Sequence, residues 1–514
     1  MLTSTDEQQI QQRGSQLERV KNQIENFING FPPLHLEKPA IPGDGVIVLD
    51  NVDKYIGSYE SRLGDKSVVK FVPASGAASR MFKALFAFVD EYKGSDEQFE
   101  DFRSGKSHQD VYEFFKKIND FAFFDDLKNA FDQGSESLEE AHLKRKYVLI
   151  LETLLGSKGL DYGNLPKGLL KFHRYAVDAR TPAEEHLVEG ANYARDKKGN
   201  VRLHFTVSPE HRSKFSEHID TVKSKYENAH GVSFTVDYSE QKPSTDTIAV
   251  DLENEPFRNN DKGLLFRPAG HGALIENLNE IDADIIFVKN IDNIVPDHLK
   301  ETTYNYKKAL AGVLLETQEK VFNYLHKIEN EWSPELEKEV ISYANSELNF
   351  ILSEEYSTLN DTDRKSSLFN KLNRPIRACG MVANTGATGG GPFWARNSDG
   401  SISPQIVETA QIDLSNSTQK EIFDKSSHFN PVDLVCGVKD YKNEKFDLTR
   451  FVDPMTGFIT EKSKDGRDLK AQELPGLWNG AMADWISIMV EVPIVTFNPV
   501  KQVNDLLKPT HQPG

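Results

Sequence analysis

The apolar positions of the chain fall into two rhythms. Ile10, Leu17, Val20, Ile24 and Phe27 recur near helical spacing and predict a helix over residues 5–30, ended by Pro32 and Pro33. Ser67 to Val72 is instead a compact apolar run, with Val68, Val69, Phe71 and Val72, and reads as a strand. It leads into the small-residue turn Ser75-Gly76-Ala77-Ala78-Ser79 and then a helix from Arg80. In the charged and aromatic stretch that follows, roughly 82–160, Phe114, Phe115, Ile118, Phe121 and Leu127 mark packed helices. Strand-like runs resume at Val201–Val207, Val232–Tyr238 and Ile285–Val288. A second helical stretch covers about 297–370, its clearest face carrying Leu310, Val313, Leu314, Val321, Leu325 and Ile328. Leu434–Val438 and Ile494–Phe497 read as late strands, and the tail from Pro509 as structureless. Strands alternating with helices predict an α/β fold, a mostly parallel sheet with helices on both faces. No internal repeat interrupts the pattern.

Length and charge narrow this picture. The 514 residues fit one large α/β domain with insertions, or two to three domains. A formal net charge of -18 argues against nucleic acid as the main partner. An acidic protein that binds an anion must gather Lys, Arg and backbone N–H groups locally, or recruit a metal. The two cysteines, Cys379 and Cys436, offer neither a metal-ligand spacing nor a disulfide framework, and suit free thiols in a reducing cytoplasm. The polar, Gln-rich start lacks the apolar core of a signal peptide, and no run approaches the ~20 apolar residues that span a bilayer. The expectation is a cytoplasmic protein without a membrane partner.

Four segments combine residue types that carry chemistry. In Val72-Pro-Ala-Ser-Gly-Ala-Ala-Ser-Arg-Met81, small residues after a strand let backbone N–H groups approach a phosphate, and Arg80 adds a charge-assisted contact. Ordinary turn chemistry explains the same residues, and no Gly-Lys-Ser/Thr follows to make a P-loop. In Leu165-Pro-Lys-Gly-Leu-Leu170, Lys167 by itself is an exposed lysine beside a proline. In Phe266-Arg-Pro-Ala-Gly-His-Gly272, two glycines around His271 suit a loop whose backbone touches a ligand, or a plain turn. In Ile285-Ile-Phe-Val-Lys-Asn-Ile-Asp-Asn293, an apolar strand ends in Asn290 and Asp292, where open α/β sheets bind ligands. Asp292 is a hard oxygen ligand suited to Mg²⁺, or else a turn aspartate.

Taken in order along the chain, these segments resemble the nucleotide-diphospho-sugar transferase superfamily, most of all its UDP-sugar pyrophosphorylase branch. The Ser75–Met81 turn resembles the nucleotide loop, and Pro166-Lys167-Gly168 the Pro-Lys signature that normally follows it closely. Tyr238-Ser-Glu-Gln-Lys-Pro243 resembles the uracil-reading segment, with Gln241 at the glutamine position. Gly270-His271-Gly272 and Asn290-Ile-Asp-Asn293 are similar to the Gly-His-Gly loop and the Asn-x-Asp-Asn turn. Further on, Gln405-Ile-Val-Glu-Thr-Ala-Gln411, Phe429-Asn-Pro-Val-Asp-Leu434 and Thr496-Phe-Asn-Pro-Val-Lys501 resemble two sugar-contacting segments and the ending whose lysine binds phosphate. The chain departs from the branch at Ala77, Ala78, Ala269, Ala273, Pro431 and Asp433. It also resembles an uncharacterised bacterial family of unknown function.

The resemblance implies a GT-A/Rossmann-like sheet over 41–507 after an N-terminal helical segment, 1–40. Helical insertions would lie at about 82–160 and 297–370, with a tail at 508–514. It implies nucleotide contacts from Ser75, Gly76, Ala77, Ala78, Gln241 and Gly270. Sugar contacts would come from His271, Asn290, Gly380, Glu408 and Asn430, catalytic cations from Arg80, Lys167 and Lys501, and Mg²⁺ binding from Asp292. The substrates implied are a nucleoside triphosphate, UTP first, and a sugar 1-phosphate. A glycosyltransferase on the same sheet and a non-catalytic nucleotide-sugar sensor remain alternatives. The Gly386–Gly391 run has no counterpart in the branch, and reads as a mobile loop or as a lid with Trp394 as a stacking face.

Overall fold

The computed structural model describes every residue except Met1, Ala77, Ala387, Thr388, Pro475, Leu477, Trp478 and Asn479. The chain divides into two compact units. The first comprises Met1–Val69, Gln241–Val288 and Tyr306–Pro493, and the second Lys70–Glu240, Lys289–Asn305 and Ile494–Gly514. No helix among the described residues is long and apolar enough to cross a membrane.

The first unit is mixed α/β. Its central strands follow the order Ile41–Pro42, Gly45–Ile47, Ile486–Glu491, Ile376–Ala383, Leu434–Gly437, Ile285–Val288. The first three pairings are parallel, and Leu434–Gly437 runs antiparallel to both neighbours. Ile285–Val288 is buried at all four positions, and Ile376–Ala383 at seven of its eight, so these strands have no solvent face. Two antiparallel sheets accompany them. One joins Leu36–Pro39, Gly391–Arg396 and Ile402–Val407; the other joins Phe266–Arg267, Thr247–Val250, Arg467–Glu473 and Phe458–Lys464.

The expected single helix at the N-terminus is two, Ser4–Gln12 and Leu17–Asn29. Gly14 stands between them at φ 72°, a left-handed conformation that ends a helix. Ile10, Val20 and Phe27 still share one core with Ile248, Val250 and Leu264, which is why the apolar spacing looked continuous.

In the second unit the strand Val68–Pro73, from Lys70 onward, neighbours Asn200–Thr206, which pairs in parallel with Ser233–Ser239. The helix Pro182–Tyr193 starts from a capping box between Thr181 and Glu184 with proline in its first turn, and the helix Arg212–His230 ends at the left-handed Gly231. Eleven of the twelve residues of Pro182–Tyr193 are buried, so its charged residues point into protein. The 82–160 stretch forms six helices between Lys83 and Leu155 around a phenylalanine-rich core that includes Phe82, Phe88, Phe102, Phe114, Phe121 and Phe123.

Two expectations for the C-terminal part are corrected. Ile494–Phe497 is no strand; Ile494–Thr496 is a 3-10 turn closed by Phe497 N–H to Ile494 O at 2.9 Å. Pro493 and Pro499 bracket it, and proline cannot donate to a strand ladder. The last strand is Ile486–Glu491. The tail is ordered as the 3-10 turn Pro509–His511, with His511 only 1% exposed.

Candidate functional site

The strand Val68–Pro73 delivers the small-residue turn. Ala74 N–H is held by Thr206 O at 2.8 Å, and Ala78–Arg80 forms a 3-10 turn before the helix Lys83–Glu91. Ser75 is half-buried, Gly76 and Arg80 are exposed, Ala78 is buried, and Ala77 lies outside the described residues. The Pro-Lys segment comes to this turn across some ninety residues of sequence. Ala78 N–H donates to Leu165 O at 3.3 Å, and Lys167 N–H to Gly76 O at 3.2 Å. Gly168 is required there, because a Cβ would lie 2.6 Å from the Phe215 ring.

Asp292 belongs to the same unit and reaches the same place. Lys289 N–H donates to Phe71 O at 3.2 Å and Ile291 N–H to Pro73 O at 3.0 Å, so this segment runs alongside the strand and turns at Asn290–Asn293. Lys167 Nζ then donates to Asp292 Oδ2 at 2.8 Å and to Val500 O at 2.6 Å. Lys501, the residue after Val500, is exposed, with its backbone N–H donated to Asp505 Oδ2 at 2.7 Å. The turn is tied to the C-terminal segment as well, since Asn498 N–H donates to Asn293 Oδ1 at 2.7 Å. Asn290 Oδ1 is buried and has no hydrogen-bond partner among the described residues.

Those oxygens bear on a metal. Among the described residues no group of three or more His, Cys, Asp or Glu could hold one. Mg²⁺ does not require such a cage, since it binds commonly through one carboxylate plus phosphate oxygens and water. The carboxylate of Asp292 and the unpartnered Asn290 Oδ1 fit that mode, with Lys167 as the present counter-ion of Asp292.

The remaining expected residues belong to the first unit. Gln241 is half-buried, and its Nε2 lies 3.4 Å from Asp246 Oδ1, a carboxylate that also pairs with Arg13. Gly270 adopts φ 80°, and the exposed His271 opens a 3-10 turn. Gly380 and Asn430 are brought together: Asn430 Nδ2 donates to Gly380 O at 3.0 Å, and Asn430 Oδ1 accepts Val432 N–H at 2.9 Å. Val432 there has φ 59°. Asp433 forms a fully buried ion pair with Lys307, whose Nζ also donates to Val288 O at 3.3 Å. That pair gives the departure at Asp433 a structural role. Glu408 is half-buried at the start of the turn Thr409–Gln411, its N–H donated to Gln411 Oε1 at 2.9 Å.

The stacking-face reading of Trp394 is overturned. It is 5% exposed in the strand Gly391–Arg396, and a Cβ on Gly45 would lie 2.7 Å from its Nε1. A ring packed that closely cannot present a face to a sugar. Of the Gly386–Gly391 run, Gly386 has φ 101°, while Ala387 and Thr388 lie outside the described residues.

The sequence reading passed over a buried ionic cluster in the second unit. Glu189 accepts Lys70 Nζ at 2.8 Å, Lys289 Nζ at 2.7 Å and the Tyr193 hydroxyl at 3.0 Å. One turn earlier on the helix, Glu185 accepts Lys300 Nζ at 2.5 Å and the Tyr175 hydroxyl at 2.6 Å. Its Oε1 also lies 2.9 Å from His173 Nδ1, and His173 Nε2 lies 3.0 Å from His511 Nδ1. Burial works to raise the Glu185 pKa, but Lys300, His173 and Arg180 outweigh it and hold it below the usual carboxylate range. Burial, with His173 beside it, pushes His511 down to about 3. Between the glutamates, His186 Nε2 donates to Ile291 O at 3.2 Å, next to Asp292. The available signal was a lysine inside or directly after an unbroken apolar run, Val-Val-Lys70-Phe-Val and Ile-Ile-Phe-Val-Lys289.

Buried strands with polar loop residues at their ends define a mixed α/β protein. The particular family follows from the sequence: the family model described as "Domain of unknown function (DUF4301)" matches residues 3–512, and the chain belongs to that family. No curated protein matches it. Solved structures similar to this chain include the uridine diphosphate N-acetylglucosamine pyrophosphorylase of Trypanosoma brucei in complex with inhibitor. It has TM-score 0.48 and 9% identity, over 95% of this chain and 75% of that one. A UDP-glucose phosphorylase of the same organism has TM-score 0.43 and 11% identity, over 98% and 77%. The UDP-glucose pyrophosphorylase of Leishmania major has 0.42 and 12%, over 99% and 79%.

Proposed function

We propose that this protein is a nucleotidyltransferase that joins a sugar 1-phosphate to a nucleoside triphosphate, UTP first, releasing pyrophosphate. The observation that supports the reading is the meeting of Lys167 with both the small-residue turn and Asp292. Four segments distant in sequence, 74–80, 165–168, 290–293 and 498–501, converge on one lysine, one carboxylate and a set of loop backbone groups. Phosphoryl chemistry needs positioning and charge neutralisation more than a general base.

In the reaction proposed, an oxygen of the sugar phosphate forms a bond to the α-phosphorus of the nucleotide. The bond from that phosphorus to the bridging oxygen breaks in line, and pyrophosphate leaves with the electron pair. The attacking oxygen is already anionic, so no proton has to move. Mg²⁺, when bound, would neutralise charge on the phosphate oxygens, held by Asp292 with Asn290 at hand. Lys167, released from Asp292, would hold a phosphate oxygen as a point charge, and the exposed Arg80 and Lys501 would add positive charge from the neighbouring segments. The residues that the resemblance assigns to base and sugar, Gln241 and Gly380 with Asn430, belong to the first unit.

One observation favours the sensor reading. Lys501 sits on an exposed loop after a 3-10 turn and lacks the strand expected to aim it. Pyrophosphate release with UTP, Mg²⁺ and a panel of sugar 1-phosphates separates the readings. Release that depends on both substrates supports the transferase. Nucleotide-sugar binding by calorimetry without any release leaves the sensor, and transfer of the sugar from a nucleotide-sugar to an added acceptor, with UDP as the leaving group, identifies a glycosyltransferase.

A further inference from the structure

Glu189 is shared by two lysines. Lys70 and Lys289 reach opposite oxygens of one carboxylate, at 2.8 and 2.7 Å, and all three side chains are at most 1% exposed. The surrounding ionic groups balance otherwise. Lys300 and Arg180 stand against Glu185 and Asp297, so with Lys70 protonated four cations face three carboxylates and the surplus positive charge sits at the Glu189 end. Lys70 Nζ has no second carboxylate. It donates to His186 O at 3.2 Å and lies 4.9 Å from the centre of the Tyr193 ring.

A buried cation that shares its anion with a second cation is only partly compensated, and further negative charge nearby would favour it. The placement says what could. Lys70 lies on the strand that becomes the small-residue turn, four residues or roughly 13 Å before Ala74. Lys289 directly precedes Asn290, and His186, from the helix that carries Glu189, holds Ile291 O at 3.2 Å. The cluster therefore ties the roots of both loops to one helix and leaves them over excess positive charge. The geometry points to Glu189, Lys70 and Lys289 as a positioning unit for a phosphate-bearing ligand at these loops, whose negative charge completes the buried surplus.

The inference rests on the phosphate-binding part of the function proposed above. It does not require turnover. Burial, opposed by Glu189 and reinforced by Lys289, pushes Lys70 down to about 7, so without ligand its ammonium is half-formed at neutral pH. His186, which faces the same group, is kept neutral by burial and by Lys70. An anion arriving at the loops would draw a proton onto Lys70.

Calorimetry with inorganic tripolyphosphate and with UTP, at pH 7 in two buffers of unlike ionisation heat, reads that proton directly. The wild type is expected to take up as much as about half a proton per ligand more than Lys70→Met. Lys289→Met removes the surplus and leaves Lys70 a carboxylate of its own. It is expected to bind about tenfold more weakly and to lose the uptake, and it serves if Lys70→Met does not fold. Wild-type binding without excess proton uptake overturns the inference and leaves the functional reading standing. So does a folded Lys289→Met with unchanged affinity. Failure of the wild type to bind either probe overturns both.

Discussion

Lys167 and Asp292 are 125 residues apart in sequence and 2.8 Å apart in space. Neither is placed by chance collapse of a flexible loop. Lys167 is pinned by its own N–H to Gly76 O, and the Asp292 turn by Ile291 N–H to Pro73 O. Both anchors belong to one strand–turn unit, so the ion pair is set by backbone hydrogen bonds and its side chains only complete it. At 13% and 20% side-chain exposure the pair is partly screened, and its contribution to stability should be about 1 kcal/mol or less. Its value lies in holding a cation and a carboxylate at one point.

Asp292→Asn should therefore leave the fold nearly unchanged and remove most Mg²⁺-dependent turnover. The amide keeps the shape but not the charge that binds metal. A fall in kcat of about 10²–10³ is the scale for one lost electrostatic contact in a phosphoryl site. The check is pyrophosphate release across an Mg²⁺ titration, with a melting curve beside it. Wild-type turnover at saturating Mg²⁺ would remove Asp292 from the metal-binding role.

The buried strands were legible because nothing polar faces outward from them. Ile285–Val288 was read with the observed ends, and Val68–Pro73 within one residue. Ile376–Ala383 was passed over because Arg377 and Gly380 break its apolar run, yet Arg377 is fully buried, with its Nε donated to Ser487 Oγ at 2.7 Å. The Glu189 cluster was invisible for a related reason. Lys and Glu are ordinarily surface residues, and only tertiary pairing reveals which of them are inside. Ile494–Phe497 failed in the opposite direction: its composition is strand-like, but Pro493 and Pro499 on either side lack the N–H that a ladder needs. Loop meetings such as Ala78 with Leu165 have no local signal at all, and the ordered resemblance alone suggested them.

His511 makes the stability of the protein depend on pH. Its folded pKa lies at about 3, well below the ordinary imidazole value near 6.5, so the folded protein keeps it neutral while the unfolded chain takes up a proton. The stabilisation is complete above about pH 6.5 and is lost as the pH falls from there toward 3. Burial also lowers the pKa of His173, which adds in the same direction. Between pH 7 and 5 the His511 share should be about 2 kcal/mol. Urea denaturation at the two pH values should show a smaller loss for a folded His511→Gln than for the wild type. Equal losses would mean that His511 is not buried neutral against His173.

Asn430→Ala should destabilise the protein by roughly 2–3 kcal/mol, because both ends of the side chain serve buried backbone groups. It satisfies Gly380 O and Val432 N–H, and Val432 holds an unfavourable positive φ. Both ends are engaged by backbone, so under the proposed function the residue would act on a sugar through the placement of Gly380. The apparent KM for sugar 1-phosphate should rise while nucleotide affinity is kept. Chemical denaturation measures the first effect and initial rates the second. A variant as stable as wild type would contradict the hydrogen-bond geometry.

Lys501→Ala tests catalysis apart from binding. The side chain is exposed, so its loss should not disturb the core, and the melting temperature should stay within a degree or two. The backbone beside it is fixed on both sides: Val500 O accepts Lys167 Nζ, and Lys501 N–H is held by Asp505. Its backbone root is thus fixed next to the Lys167–Asp292 pair, although no strand aims the side chain. If it closes on phosphate oxygens as charge builds in the transition state, kcat should fall by about 10²–10³. UTP affinity should change much less, because the turn and Lys167 would still hold the phosphates. In a sensor, the substitution would weaken ligand binding with no turnover to lose. Pyrophosphate release and calorimetry on the same preparations distinguish these outcomes. A folded variant with wild-type turnover and affinity would make Lys501 a surface lysine and leave Lys167 and Arg80 as the candidate cations for the phosphates.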